Sequence, residues 1–174
     1  PDDALVELDV KVLSAPTDSE AAWVFKVESE VADEDAESGK YPLNSAANED
    51  DSVELISVTL TLEDSIEGVQ PTVGEWQHYS FELSLLRELG LNDEKITGIK
   101  FYPTAGQGAG AVFQVDNVTI GAAYEGAELT LFKDEENLNW PMWDSKVADG
   151  QSDVVPAIVV DEDENYGNAA EFYI

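Results

Sequence analysis

LVELDVKVL, residues 5–13, decides the fold. Val6, Leu8, Val10 and Val12 share one parity, and Glu7, Asp9 and Lys11 share the other. A period of two is the period of a β-strand, whose successive side chains point to opposite faces. This segment is therefore a half-buried strand with one apolar and one polar side. The same rule, carried outward, finds more strands. In AWVFKVES, Trp23, Phe25 and Val27 oppose Val24, Lys26 and Glu28. In VELISVTLTLE, Ile56, Val58, Leu60 and Leu62 oppose Ser57, Thr59 and Thr61. In EWQHYSFEL, Tyr79, Phe81 and Leu83 oppose Trp76, His78, Ser80 and Glu82. Trp23, on an apolar parity, is a core residue on this reading.

Further strands follow in GIKFYP, AVFQVDNVTI, VVPAIVV and AAEFYI. In AVFQVDNVTI the parity of Phe113 and Val115 is not that of Val118 and Ile120, so the alternation slips at Asp116 and Asn117, as a β-bulge requires. The one helical signal is SLLRELGL, with Ser84 as a candidate cap and Gly90 as its stop. Residues 30–52, rich in Asp, Glu, Ser, Asn and Gly, read as a long solvated loop. The pattern is that of an all-β chain folded as a two-sheet antiparallel β-sandwich, a jelly roll with one short helix.

The chain has 174 residues and 43% hydrophobic content, enough for one substantial core, so residues 1–174 are expected to form a single module. Thirty-eight acidic residues against 8 Lys and Arg give a formal net charge of -30. Such a surface repels nucleic-acid phosphates and anionic lipid, so neither is an expected partner. Aromatic residues set among alternating strands argue for a packed core against disorder. Cysteine is absent, which removes disulfides and thiolate metal sites. No signal peptide and no apolar run of membrane-spanning length is present, and the chain is read as a piece of a longer exported, secreted protein.

Chemistry-bearing constellations are few. A catalytic triad needs a positioned imidazole, and His78 is the only histidine. With so many carboxylates, some pair always falls at glycosidase spacing, which carries no information. A catalytic site is not expected. Calcium takes six to eight oxygen ligands, which a bulged strand and an adjacent loop can supply, and Asp116 at the parity slip is the best candidate. Its alternative role is to cap the bulge by hydrogen bonds. The acidic run DEDEN, residues 161–165, lacks the glycine of an EF-hand loop and reads as a surface turn.

Sugar rings bind on aromatic platforms flanked by polar groups that fix hydroxyls. Trp140 and Trp143 in NWPMWDS are loop candidates for that work, one of them with a competing core role. On the strands, Trp76 and His78, Lys26 and Glu28, and Lys100 and Tyr102 all oppose the core parity. If those strands are neighbours, these residues form one polar face, with the lysines held by Glu28 or Glu82. The alternative is a cross-strand salt bridge on a solvated surface.

The strings VKVLSAPTD, WVFKVES, SIEGVQPTVGEWQHYSFEL and AVFQVDNVTI, in this order, resemble the galactose-binding-like jelly-roll module appended to marine family 3 exo-β-glucosidases and related polysaccharidases. The likeness covers residues 1–120. LTLFKDEENLNWPMWDS and AAEFYI are similar to the opening pieces of such modules but come last here. The order thus looks permuted or out of phase: 1–121 form the latter part, 122–127 a linker, and 128–174 the opening strands that complete the sandwich. A monomer is expected, with a strand-swapped dimer as the alternative. The resemblance implies a late-strand aspartate meeting acidic residues after the first strand, here Asp116 with Asp134 and Glu135 around calcium. It also implies a non-catalytic module that binds a plant or algal polysaccharide. The net charge favours a neutral β-glucan or agar-type galactan. The competing readings are a calcium-stabilised adhesive module of an extracellular repeat protein and, behind it, a glycoside hydrolase.

Overall fold

The computed structural model describes residues 4–31, 55–122, 129–133, 135–136, 157–161, 163 and 165–174. Its strands are β1 (Ala4–Ser14), β2 (Trp23–Glu30), β3 (Leu55–Thr61), β4 (Trp76–Glu82), β5 (Ile96–Pro103), β6 (Val112–Ala122), β7 (Leu129–Lys133), β8 (Glu135–Glu136), β9 (Ala157–Val160) and β10 (Asn168–Tyr173). They form two sheets. The larger has the order β4-β1-β6-β10-β9, with β7 also paired to β6 and β8 paired to β7, and the smaller has the order β3-β2-β5. Every strand pair is antiparallel. The protein is an all-β sandwich.

Alternation along the strands builds the core directly. Val6, Leu8, Val10 and Val12 of β1, Tyr79 and Phe81 of β4, and Phe113 of β6 are buried on the inner face of the larger sheet. Trp23, Phe25 and Val27 of β2 and Val58 of β3 meet them from the smaller sheet. Phe25 and Phe81 stack across the interface with ring centroids 4.0 Å apart and planes 5° from parallel. Trp23 stacks on Phe101 and meets Phe113 edge-on, as befits a core residue. Each such side chain contributes roughly 1.5–3 kcal/mol by burial.

The bulge lies where the parity slips. Glu7 pairs with Thr119 but Asp9 pairs with Asp116, so β6 carries one more residue than β1 over that interval. Asn117 takes the strain, with φ 50°, the only positive φ outside glycine among the described residues. Beyond β6 the edge is shared: β10 pairs with Val112 to Val115, and β7 pairs with Val118 to Ile120, each within this chain.

The short helix α1 spans Leu83–Glu88, and Glu82, not Ser84, stands at its N-cap, without a side-chain capping bond. The expected serine cap is thus corrected: the strand ends one residue earlier than Ser84 would need, and Leu83 starts the helix because its side chain is required in the core. Gly90, at φ 103°, does stop it, and the Leu91 amide closes back onto the Leu86 carbonyl.

Candidate functional site

The outer face of the three-stranded sheet is set by register. Ser57 of β3, Glu28 of β2 and Gly98 of β5 form one row; Thr59, Lys26 and Lys100 form the next; Thr61, Val24 and Tyr102 form the third. Lys26 and Lys100 therefore sit directly opposite one another, a like-charge placement that is unfavourable unless something intervenes. Glu28 intervenes. Its Oε1 lies 2.8 Å from Lys26 Nζ and its Oε2 lies 2.8 Å from Lys100 Nζ. Ser57 Oγ donates a longer bond of 3.4 Å to the same carboxylate.

The glutamate is the buried floor of this arrangement, with a side chain 8% exposed, whereas that of Lys100 is 49% exposed. Burial alone would raise the Glu28 carboxyl, but the hydrogen bonds and charges of Lys100 and Lys26 outweigh it and hold the group below its usual range. Gly98 adds no side chain over the carboxylate. Tyr102, half-buried, lies two residues beyond Lys100 on the same face.

Trp76 and His78 are elsewhere. Both belong to β4, at the edge of the larger sheet, so they share an outer face with Glu7, Asp9 and Lys11 and not with Lys26 or Lys100. Glu82, named as a possible partner of the lysines, is on β4 too and cannot meet them. Parity distinguishes inside from outside but leaves unstated which of two sheets a strand joins. The single polar face expected from parity is thus two faces on opposite sides of the sandwich.

On the larger sheet, His78 bridges two carboxylates. Its Nδ1 is 2.7 Å from Asp9 Oδ1 and its Nε2 is 3.2 Å from Glu7 Oε1. Both ring nitrogens face acceptors, so the doubly protonated imidazolium suits the site. Burial would lower its pKa; Asp9 and then Glu7 more than offset that, and it is raised above the ordinary value. A raised folded pKa gives stability fully present below the unfolded value of about 6.5 and lost as pH rises through the folded pKa. Because the ring is half exposed, the contribution is roughly 0.2–1 kcal/mol. The melting-temperature gap between wild type and His78→Gln is expected to be wider at about pH 5.5 than at about pH 9. A gap independent of pH counts against the bridge.

Trp76 is not an open platform. Tyr166, from the turn between β9 and β10, stacks on it at 4.2 Å and 12°, and Lys11 Nζ lies 5.8 Å from its ring centroid. Lys11 also pairs with Asp161 at 2.8 Å, and Asp161 is buried. Read as part of a surface turn, Asp161 instead docks that turn on the sheet. The signal available in the sequence was Tyr166, an aromatic within an acidic turn.

Asp116 is buried, registered opposite Asp9, with Asn117 Nδ2 donating to Asp9 Oδ2 at 2.7 Å. Among the described residues, no three His, Asp or Glu side chains converge as a metal shell. Asp134, Trp140 and Trp143 lie outside the described residues, and of Glu135 only the backbone, in β8, is described. Of the three residues expected to ligate calcium, Asp116 alone has a described side chain.

No family model, curated protein or solved structure matches this chain.

Proposed function

We propose that the protein is a non-catalytic, polysaccharide-binding sandwich and that the outer face of β3-β2-β5 is where the polymer lies. The observation that carries this reading is the row structure of that face: a half-buried Tyr102 beside two lysines fixed on one buried glutamate, with Ser57 and Thr59 exposed alongside. An aromatic ring supplies the apolar stacking surface that a pyranose needs, and ammonium and hydroxyl groups supply directed bonds to its hydroxyls. The lysines are held in place before any ligand arrives, so little side-chain entropy is lost on binding.

A catalytic reading finds less to stand on. The single histidine is engaged with two carboxylates, and no hydroxyl nucleophile is bonded to it among the described residues. The adhesive-module reading makes this face a solvated salt bridge. It is separated from ours by affinity electrophoresis of the intact chain through gels holding a panel of plant and algal polysaccharides. Wild type is expected to be retarded by at least one polymer and Tyr102→Ala to migrate freely in it, with unaltered circular dichroism. A Trp140→Ala/Trp143→Ala variant, run beside them, tests the loop tryptophans. Retardation of no variant by any polymer sinks the proposal.

Calcium belongs to the same proposal, with Asp116, Asp134 and Glu135 as its expected ligands. A bound ion stabilises the folded state by mass action, so chelation is expected to lower the melting temperature by a few degrees and added calcium to restore it. An unchanged melting temperature after chelation removes calcium from the account. We place the protein outside the cell, where millimolar calcium meets weak extracellular sites.

A further inference from the structure

The cations of this chain are scarce, so their pairing is informative. Among those whose side chains are described, Lys11 meets Asp161, Arg87 meets Asp93 and Lys95 meets Glu30. Lys26 and Lys100 alone share a single carboxylate, that of Glu28. The Lys26, Glu28 and Lys100 cluster thus carries one positive charge in excess, in a protein whose sum is -30.

That excess is placed, not incidental. The two lysines are direct cross-strand partners, so their stems are held about 5 Å apart. Glu28 binds them from the buried side, while Lys100 keeps half its surface in solvent. An ammonium has three donors. Lys100 uses two on the oxygens of Glu28, at 2.9 and 2.8 Å, and Lys26 is placed on Oε1 at 2.8 Å, so both retain donors for a further acceptor. Tyr102 stands about 7 Å further along β5, one same-face step. A pyranose seated on that ring brings a substituent on its rim to the lysines.

From this we infer that the Lys26 and Lys100 pair is a subsite for an anionic substituent, a carboxylate or a sulfate ester, on a sugar of the bound polymer. The inference rests on the polysaccharide-binding reading and reverses the preference for a neutral target drawn from overall charge. Overall charge is a poor guide at this point because distributed charges are screened beyond about 8 Å at physiological ionic strength. The contact charge of the face decides what it accepts.

The test is retardation of the intact chain in gels containing a polyuronate, a sulfated galactan or a neutral β-glucan. Three proteins are compared: wild type, Lys26→Arg/Lys100→Arg, and Lys26→Met/Glu28→Gln/Lys100→Met. The last removes the whole charge network and so leaves no carboxylate buried alone. Wild type and the arginine variant are expected to be held by at least one anionic polymer, and the charge-free variant to bind it on the order of ten-fold more weakly. The polyuronate and sulfated arms distinguish the two substituents. Retardation by the neutral glucan alone, or undiminished anionic binding by the charge-free variant, overturns the inference and leaves the polysaccharide reading standing. Retardation by none of the three, with binding to no other glycan, defeats both.

Discussion

Replacing Phe25 by alanine is expected to remove about 3–5 kcal/mol of stability, close to the whole margin of an ordinary domain. Phe25 is 0% exposed and stacks at 4.0 Å on Phe81, which comes from the opposite sheet. It is therefore one of the side chains that join the two layers. Its removal takes away both its own burial and the contacts of Phe81, and the surrounding strands are tied by register and close only partly over the space. Denaturant titration checks this: the midpoint falls steeply while the slope stays near that of wild type. Leu89→Ala, at a site 51% exposed, serves as the control and changes stability by no more than about 0.5 kcal/mol. A loss of similar size at both positions contradicts a core joined through Phe25.

The second large effect is at Glu28. In Glu28→Ala the two ammoniums stay opposite each other with nothing between them, and the loss is expected to be roughly 1.5–3 kcal/mol, the range for hydrogen bonds to charged groups. Lys100 is half in water and can swing away, which keeps the effect below that of a fully buried pair. The sign with pH follows from the lowered carboxyl. A depressed folded pKa gives stability that is present above the unfolded value of about 4.3 and is lost as pH falls through the folded pKa. The difference between wild type and Glu28→Ala is thus expected to be full at neutral pH and to shrink in acid. Removing all three charges together, as Lys26→Met/Glu28→Gln/Lys100→Met, costs less than removing Glu28 alone, because no two ammoniums are left facing each other. A Glu28→Ala protein as stable as wild type at neutral pH makes this face an ordinary solvated surface.

The inside and outside of the sandwich were legible in the sequence, since parity alone put Val6, Phe25, Val58 and Tyr79 on the apolar, inward side. The bulge was legible too, because a slip of parity at Asp116 and Asn117 has no other simple cause. What parity leaves out is register and sheet membership. Nothing in the strings WVFKVES and GIKFYP states that Lys26 falls opposite Lys100, or that β4 joins the other sheet. Those facts depend on how far each strand slides and on which layer its apolar side meets. Ser57, Thr59 and Gly98 were missed for the same reason: each is unremarkable in its own strand and gains meaning only from its row. The stacking of Tyr166 on Trp76 was not legible either, because the two are ninety residues apart in the chain and meet only through the folded turn.

The proposed function stands on a polysaccharide lying across the outer face of β3-β2-β5. It is tested most directly by a residue-resolved titration, following backbone amide resonances as a soluble oligosaccharide of a retained polymer is added. Shifts are expected to concentrate at Lys26, Ser57, Thr59, Gly98, Lys100 and Tyr102, with the oligosaccharide recovered at its original length. Shifts confined to β4 around Trp76 and His78 or to residues 140–143, or an oligosaccharide shortened by the protein, would contradict it.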